Sequence, residues 1–165
     1  MKKLYKVMPK FLGGLIFLGI SVPVFAAVAT STLTVTANVQ PTCLINNATL
    51  AFGEYHPVTT HANANLDGAT TVAVTCTNGT AAKIYSSTPT AQRNMTNTVG
   101  VQVLNYQLYT DSTRQTVLGT TDASDTILVT GTGVAQAINL FGTIPQNQQV
   151  TTGNYTGTAN LTISY

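Results

Sequence analysis

The chain has 165 residues, 7% of them charged, and a formal net charge of +2. Four of its lysines, Lys2, Lys3, Lys6 and Lys10, crowd the first ten residues. The rest of the chain holds Lys83, Arg93 and Arg114 against Glu54, Asp67, Asp111, Asp122 and Asp125, a net −2, which leaves no basic footprint for a nucleic acid.

Residues 1–26 read as a secretory signal peptide. The lysines form its positive start, Phe11 to Ile20 its apolar stretch, and Pro23 with the small residues after it the approach to a cleavage site. Cleavage is expected after Ala26, with Ala29 as the second position. The apolar stretch is short for a bilayer span, and no second run approaches that length, so the mature form is expected to have no membrane span.

Residues 27–41 follow as an arm. From Thr30 to Val39 the chain alternates, with Leu33, Val35, Ala37 and Val39 on one face and mainly Thr on the other. Period-two alternation marks a half-buried strand. Pro41 cannot donate to a ladder and suits a hinge. A domain is expected over residues 42–165. Cys43 and Cys76 are an isolated pair in an exported chain, most simply a disulfide. Closing a loop of that length contributes about 3–4 kcal/mol in the chain-entropy model. Free or metal-binding thiols are the competing reading, although no third or fourth soft ligand accompanies them.

Short strands are expected at Cys43 to Ile45 and Thr49 to Phe52. A loop over Glu54 to Asp67 should end in an Asp67-Gly68 turn. Thr70 to Thr77 reads as a strand with Val72, Val74 and Cys76 inward, and Asn78-Gly79 as a hairpin into Ala81 to Ser87. Pro89 to Asn97 reads as irregular. Val99 to Thr110 reads as one long strand whose apolar phase shifts near Val103, where a bulge would reconcile the two registers. Gln115 to Leu118, Thr126 to Thr130 and Ala135 to Ile144 are further strands. Asn154 to Tyr165 closes the chain, with Tyr155, Ala159, Leu161, Ile163 and Tyr165 on one face and no later strand to cover that edge. Strands at this spacing, rich in Thr and Val and separated by Gly and Asn, indicate an all-β sandwich.

The motifs Thr49-Leu-Ala-Phe-Gly-Glu-Tyr55, Thr71-Val-Ala-Val-Thr-Cys-Thr77, Arg93-Asn-Met95, Leu104-Asn-Tyr-Gln-Leu-Tyr-Thr-Asp111, Leu140-Phe-Gly-Thr-Ile144, Gly153-Asn-Tyr-Thr-Gly157 and Leu161-Thr-Ile-Ser-Tyr165 resemble, in order and spacing, the spore coat protein U domain. That domain is shared with pilins of archaic, Csu-type chaperone–usher pili. The resemblance runs from about Cys43 to Tyr165. The tryptophan frequent in that family after the Tyr-x-Leu-Tyr strand is absent, and Val117-Leu118 takes its place.

The resemblance implies an incomplete immunoglobulin-like β-sandwich completed by a donor strand. Its donor would be the face Leu33, Val35, Ala37 and Val39. Its acceptor groove edge would be Tyr155, Ala159, Leu161, Ile163 and Tyr165. It further implies passage through the periplasm to a cell-surface pilus, in adhesion and biofilm formation. The implied partners are copies of the chain or related pilins, a periplasmic chaperone and an outer-membrane usher. Two rivals are a secreted spore-coat-type structural protein and a monomeric lectin-like binding module.

No catalytic, metal or cofactor residues are expected. His56 and His61 read as exposed loop histidines. No Gly-x-Ser-x-Gly is present. Asp122 and Asp125 read as turn formers, and Arg93 as a structural contact.

Overall fold

The computed structural model describes residues 23–99 and 101–165, so most of the expected signal peptide lies outside the described residues. The chain divides into two compact units, Met1–Ala37 and Asn38–Tyr165. In the first, residues 23–37 form no helix or strand, and Leu33 and Val35 are 87% and 81% exposed. Alternation prepares these residues for a ladder, but a strand exists only with a partner.

The second unit is β-rich. Its elements are β1 (Cys43–Ile45), α1 (Thr60–Asn63), β2 (Leu66–Cys76), β3 (Ala81–Ser86), β4 (Asn94–Asn97), β5 (Val103–Asn105), β6 (Gln107–Tyr109), β7 (Ile127–Thr130), β8 (Gln136–Ile144), β9 (Tyr155–Thr156) and β10 (Leu161–Ser164). One sheet runs β1-β2-β8-β6. Two smaller ones run β10-β3-β7 and β5-β4-β9. All pairs are antiparallel, and the longest joins β2 to β8 from Leu66↔Ile144 to Val74↔Gln136. Val72, Val74, Cys76, Ile84, Leu104, Leu108, Leu118, Leu140 and Ile144 fill the space between the sheets. No described helix is long and apolar enough to cross a membrane.

The register defines two poles. At one, Cys43 faces Cys76 with Cα atoms 4.1 Å apart, joined by a disulfide. Gly133 N–H donates to Cys76 C=O there, and Ser164 pairs with Lys83 near the Asn78-Gly79 turn. At the other pole lie the β4–β5 turn, the start of β2 and the end of β8.

Several expected elements differ. Asp67-Gly68 is no turn: it lies inside β2, opposite Thr143 and Gly142. A Cβ on Gly142 would lie 2.6 Å from Leu50 Cδ2, and one on Gly68 3.0 Å from Phe52 Cδ1. The paired glycines thus form a notch that seats Leu50 and Phe52. The long strand from Val99 is in fact β5 and β6, held in different sheets. The chain crosses between them at Tyr106, whose N–H donates to Arg93 C=O, while Val99 and Val101 stay in a solvated turn. Thr49 to Phe52 forms no strand. Of Gln115 to Leu118 only a single bridge, Val117 to Tyr109, is formed. Pro89 to Asn97, expected irregular, contains β4 after a 3-10 turn at Thr90–Gln92. The final strand is interrupted at residues 157–160, between β9 and β10.

Candidate functional site

β10 pairs with β3 along one edge only, and β9 likewise with β4 alone. Their other edges face β1 and the irregular segment of residues 46–59 that continues it. That segment is tied to the β2 edge by Asn46 N–H to Ala73 C=O and by Thr70 Oγ1–H to Thr49 C=O. Between the two edges runs a groove made of two clefts. One, of about 500 Å³, lies towards the Cys43 pole and is lined by Ile45, Tyr106, Leu108, Leu140 and Leu161. The other, of about 1060 Å³, lies towards the opposite pole and is lined by Leu104, Ile144, Val150 and Tyr155. Leu50, Phe52 and Met95 line both and stand where they meet.

This arrangement suits a peptide strand. The walls offer unpaired strand edges, and Leu50, Phe52, Met95, Val150 and Leu161 in the lining are apolar and only partly covered. A bare edge of this kind is a template for pairing with another chain.

Each expected groove residue has a definite place. Tyr155 is in β9, its Oη donating to Thr151 C=O at 2.8 Å. Leu161 and Ile163 are half-buried in β10, and Ala159 packs beside the core in the break before it. Tyr165 is exposed, one residue past β10. Leu33, Val35, Ala37 and Val39 form no strand, and all are exposed.

The opposite wall and the floor escaped the sequence reading. Ile45, Leu50, Phe52 and Met95 lie in short or irregular segments without a usable period. The one available signal was Leu50-Ala-Phe52, apolar at alternate positions.

The far end of the larger cleft is braced by a packed polar group. Tyr55 Oη donates to Pro145 C=O and accepts from Gln148 N–H, each at 2.9 Å. Its ring stacks on His61, centroids 4.9 Å apart. His61 is buried, not exposed as expected: its Nδ1 accepts from His56 N–H at 2.7 Å, and its ring is sandwiched between Tyr55 and His56. His56 Nε2 lies 3.3 Å from Glu54. No cluster of three metal-ligating residues occurs among the described residues.

Arg93 is buried across the sandwich from the groove. Its Nη1 donates to Gln107 Oε1 and its Nη2 to Leu118 C=O. Burial lowers its pKa, opposed in part by Tyr106, whose own pKa burial raises.

The family model of the Spore Coat Protein U domain matches residues 29–162. "Protein U" of Myxococcus xanthus is 33% identical over 159 residues, covering 87% of this chain and 88% of that protein. Among solved structures, the CsuC–CsuE complex of chaperone and tip adhesion subunit, from archaic chaperone-usher Csu pili of Acinetobacter baumannii, matches with a TM-score of 0.55 at 17% identity. That match covers 77% of this chain and 40% of the other, so the chain spans about two-fifths of its length. The likeness is one of fold, all-β and immunoglobulin-like. The chain belongs to the Spore Coat Protein U domain family.

Proposed function

We propose that the chain is a structural subunit of a surface pilus assembled by chaperone–usher donor-strand exchange, serving adhesion and biofilm formation. In this reading residues 1–26 direct export, 27–41 are the donor arm and 42–165 the pilin domain. Leu33, Val35, Ala37 and Val39 fill the groove of another copy or a related pilin, beside its Tyr155, Ala159, Leu161, Ile163 and Tyr165. A periplasmic chaperone holds the groove before assembly, and an outer-membrane usher exchanges the strands. The solved Csu structure, a chaperone-tip adhesion subunit pre-assembly complex, has this kind of partner.

The observation that carries the reading is one apolar groove with free strand edges in a chain whose alternating arm is unpaired. Burying Leu33, Val35 and Val39 contributes about 5–9 kcal/mol before ladder hydrogen bonds, as an upper bound. That is comparable to the whole stability of a domain.

Val35→Asp is the test. A charge in the groove costs several kcal/mol unless it stays outside. Export and chaperone capture of the mutant subunit should persist, while surface fibres stop growing. Normal fibres from the doubly substituted Leu33→Asp, Val35→Asp chain would overturn the reading. So would loss of the domain itself from the periplasm, which would mean the arm serves its own fold.

A second reading, a secreted spore-coat-type structural protein, is favoured by the 33% identity to Protein U over 88% of its length. It requires no usher, so fibre assembly in a strain lacking any usher separates the two.

A further inference from the structure

We infer that Arg114, on the outside of the sandwich, is a positioning residue for strand capture: by tying Gly68 of β2 to Gly142 of β8 it fixes the notch that seats Leu50 and Phe52, and with it the groove where its two clefts meet. This rests on the reading of the groove as an acceptor for a strand, and it adds a determinant that no captured strand would touch.

Arg114 stands out first by its backbone. Its φ is 55°, in the left-handed region that a residue with a Cβ seldom takes. Asn or Gly would hold such a turn at less cost. The loop is fixed by Asp111, whose carboxylate accepts from the N–H groups of Gln115 and Thr116 and whose C=O accepts from Arg114 N–H.

From this turn the Arg114 side chain meets two strands at once. Nε–H donates to Gly142 C=O in β8 and Nη2–H to Gly68 C=O in β2, each at 3.3 Å. Nε also lies 3.2 Å from the Asp67 carboxylate, and the guanidinium sits over the Phe141 ring, 5.8 Å from its centroid. Thr143 Oγ1–H holds the same carboxylate from the neighbouring strand at 2.6 Å. Asp67 faces Thr143 in the register, and Gly68 faces Gly142. The Arg114 side chain is only 23% exposed, so this is not a mobile surface pair. A planar fork, steadied by a carboxylate and a ring, bonds one carbonyl on each strand.

The same two glycines meet the groove lining from the inner side. A Cβ on either would run into Leu50 or Phe52. At this row the sheet is therefore bare backbone, with Arg114 on one face and Leu50 and Phe52 on the other. Glycine backbone is the most compliant part of a strand, and a tie from outside keeps the notch at a constant depth. Leu50 and Phe52 line both clefts, so a change in that depth moves the side chains at their junction.

The test uses the full mature chain carrying Leu33→Asp and Val35→Asp, so that no arm of its own enters a groove, and a synthetic peptide spanning residues 28–40. Arg114→Gly removes the side chain and relaxes the left-handed backbone, so any loss belongs to the bonds rather than to the turn. Its Leu50 methyl and Phe52 ring NMR signals should shift and broaden, while those of Ile84 in the other sheet stay in place. Calorimetry should find the peptide bound about tenfold more weakly, with little change in the denaturation midpoint. Arg114→Lys, which keeps the charge but lacks the fork, should recover only part of the affinity. Unchanged Leu50 and Phe52 signals and unchanged affinity in Arg114→Gly would overturn the inference. A general loss that disturbs Ile84 as much as Leu50 would overturn it too, as the mark of a merely structural role. In both cases the chain with Arg114 intact still binds the peptide, and the acceptor reading stands. If that chain takes up no peptide, the acceptor reading itself falls, and the part of Arg114 in capture falls with it.

Discussion

The sandwich has two seams, and they are closed by different means. On one side the sheets end at β6 and β7, and the chain between them bridges the gap. Leu118 N–H donates to Leu108 C=O at 2.9 Å, and Ser86 N–H donates to Gly119 C=O at 3.0 Å, so adjacent residues bond to both sheets. Leu118 is fully buried, and its carbonyl is held by Arg93 Nη2 at 2.7 Å. On the other side the sheets end at β1 and β9–β10, and no described segment bridges them. The same architecture thus finishes one seam from its own chain and leaves the other as a groove. An open seam must be a stable feature rather than a defect, because the closed one shows that this chain can supply a bridging segment.

If the closed seam is part of the core, Leu118→Ala should be the most damaging change. It empties a fully enclosed site, at a cost of about 2–5 kcal/mol, read as a lowered denaturation midpoint of the purified domain. Strand capture at the groove should change little. Equal loss at both would mean the seams are not independent.

Gly142→Val tests the open seam from behind. The added carbons would push Leu50 and Phe52 out of their notch and towards the groove. Overpacking of this sort costs about 1–3 kcal/mol. The larger effect should fall on binding of a peptide spanning residues 28–40, measured by calorimetry, which should weaken well beyond the loss of stability. Unchanged peptide affinity would show that the notch does not set the groove's width.

The smallest effect belongs to the loop that closes the first seam. Asp111 accepts from Thr113 Oγ1–H and from the N–H groups of Thr116 and Gln115. Hydrogen bonding by the Thr113 side chain, then by these backbone groups, lowers its pKa from 3.8 to about 2. A carboxylate depressed in the folded state stabilises above its unfolded pKa and loses that contribution as pH falls through the folded one. The contribution should therefore be complete at neutral pH and fade between about pH 4 and 2. Asp111→Asn should flatten this part of the acid-denaturation profile slightly, since the group is solvated.

The closed parts of the fold were the more legible in the sequence. Val72, Val74 and Cys76 alternate because β2 is covered on its inner face, and Asn78-Gly79 announces its own turn. Asp67-Gly68 misled because the pair has turn chemistry, whereas Gly68 is needed for a close approach from a distant segment. Val99 and Val101 look like strand residues, yet β4 and β5 pair below them and leave them in water. The stack of Tyr55 and His56 on the buried His61 is pinned from across the fold, by the bonds of Tyr55 to Pro145 and Gln148, which no local period reports. Of the groove, only the last strand was visible in advance. Its other wall has regular structure only in the three residues of β1, and its lining joins residues as distant in the chain as Met95 and Ile144.

The disulfide has a mechanical meaning. The arm joins the domain at Cys43, and β1 beyond it is only three residues long. Tension drawn along the arm would otherwise peel β1 and then unzip residues 46–59, the wall of the groove. The bond to Cys76 diverts that load into β2, paired with β8 from Leu66 to Val74. Pulling along that ladder strains its hydrogen bonds together in shear, so in the donor-strand assembly proposed above the wall gripping one neighbour would stay unloaded while the arm was hauled by the other.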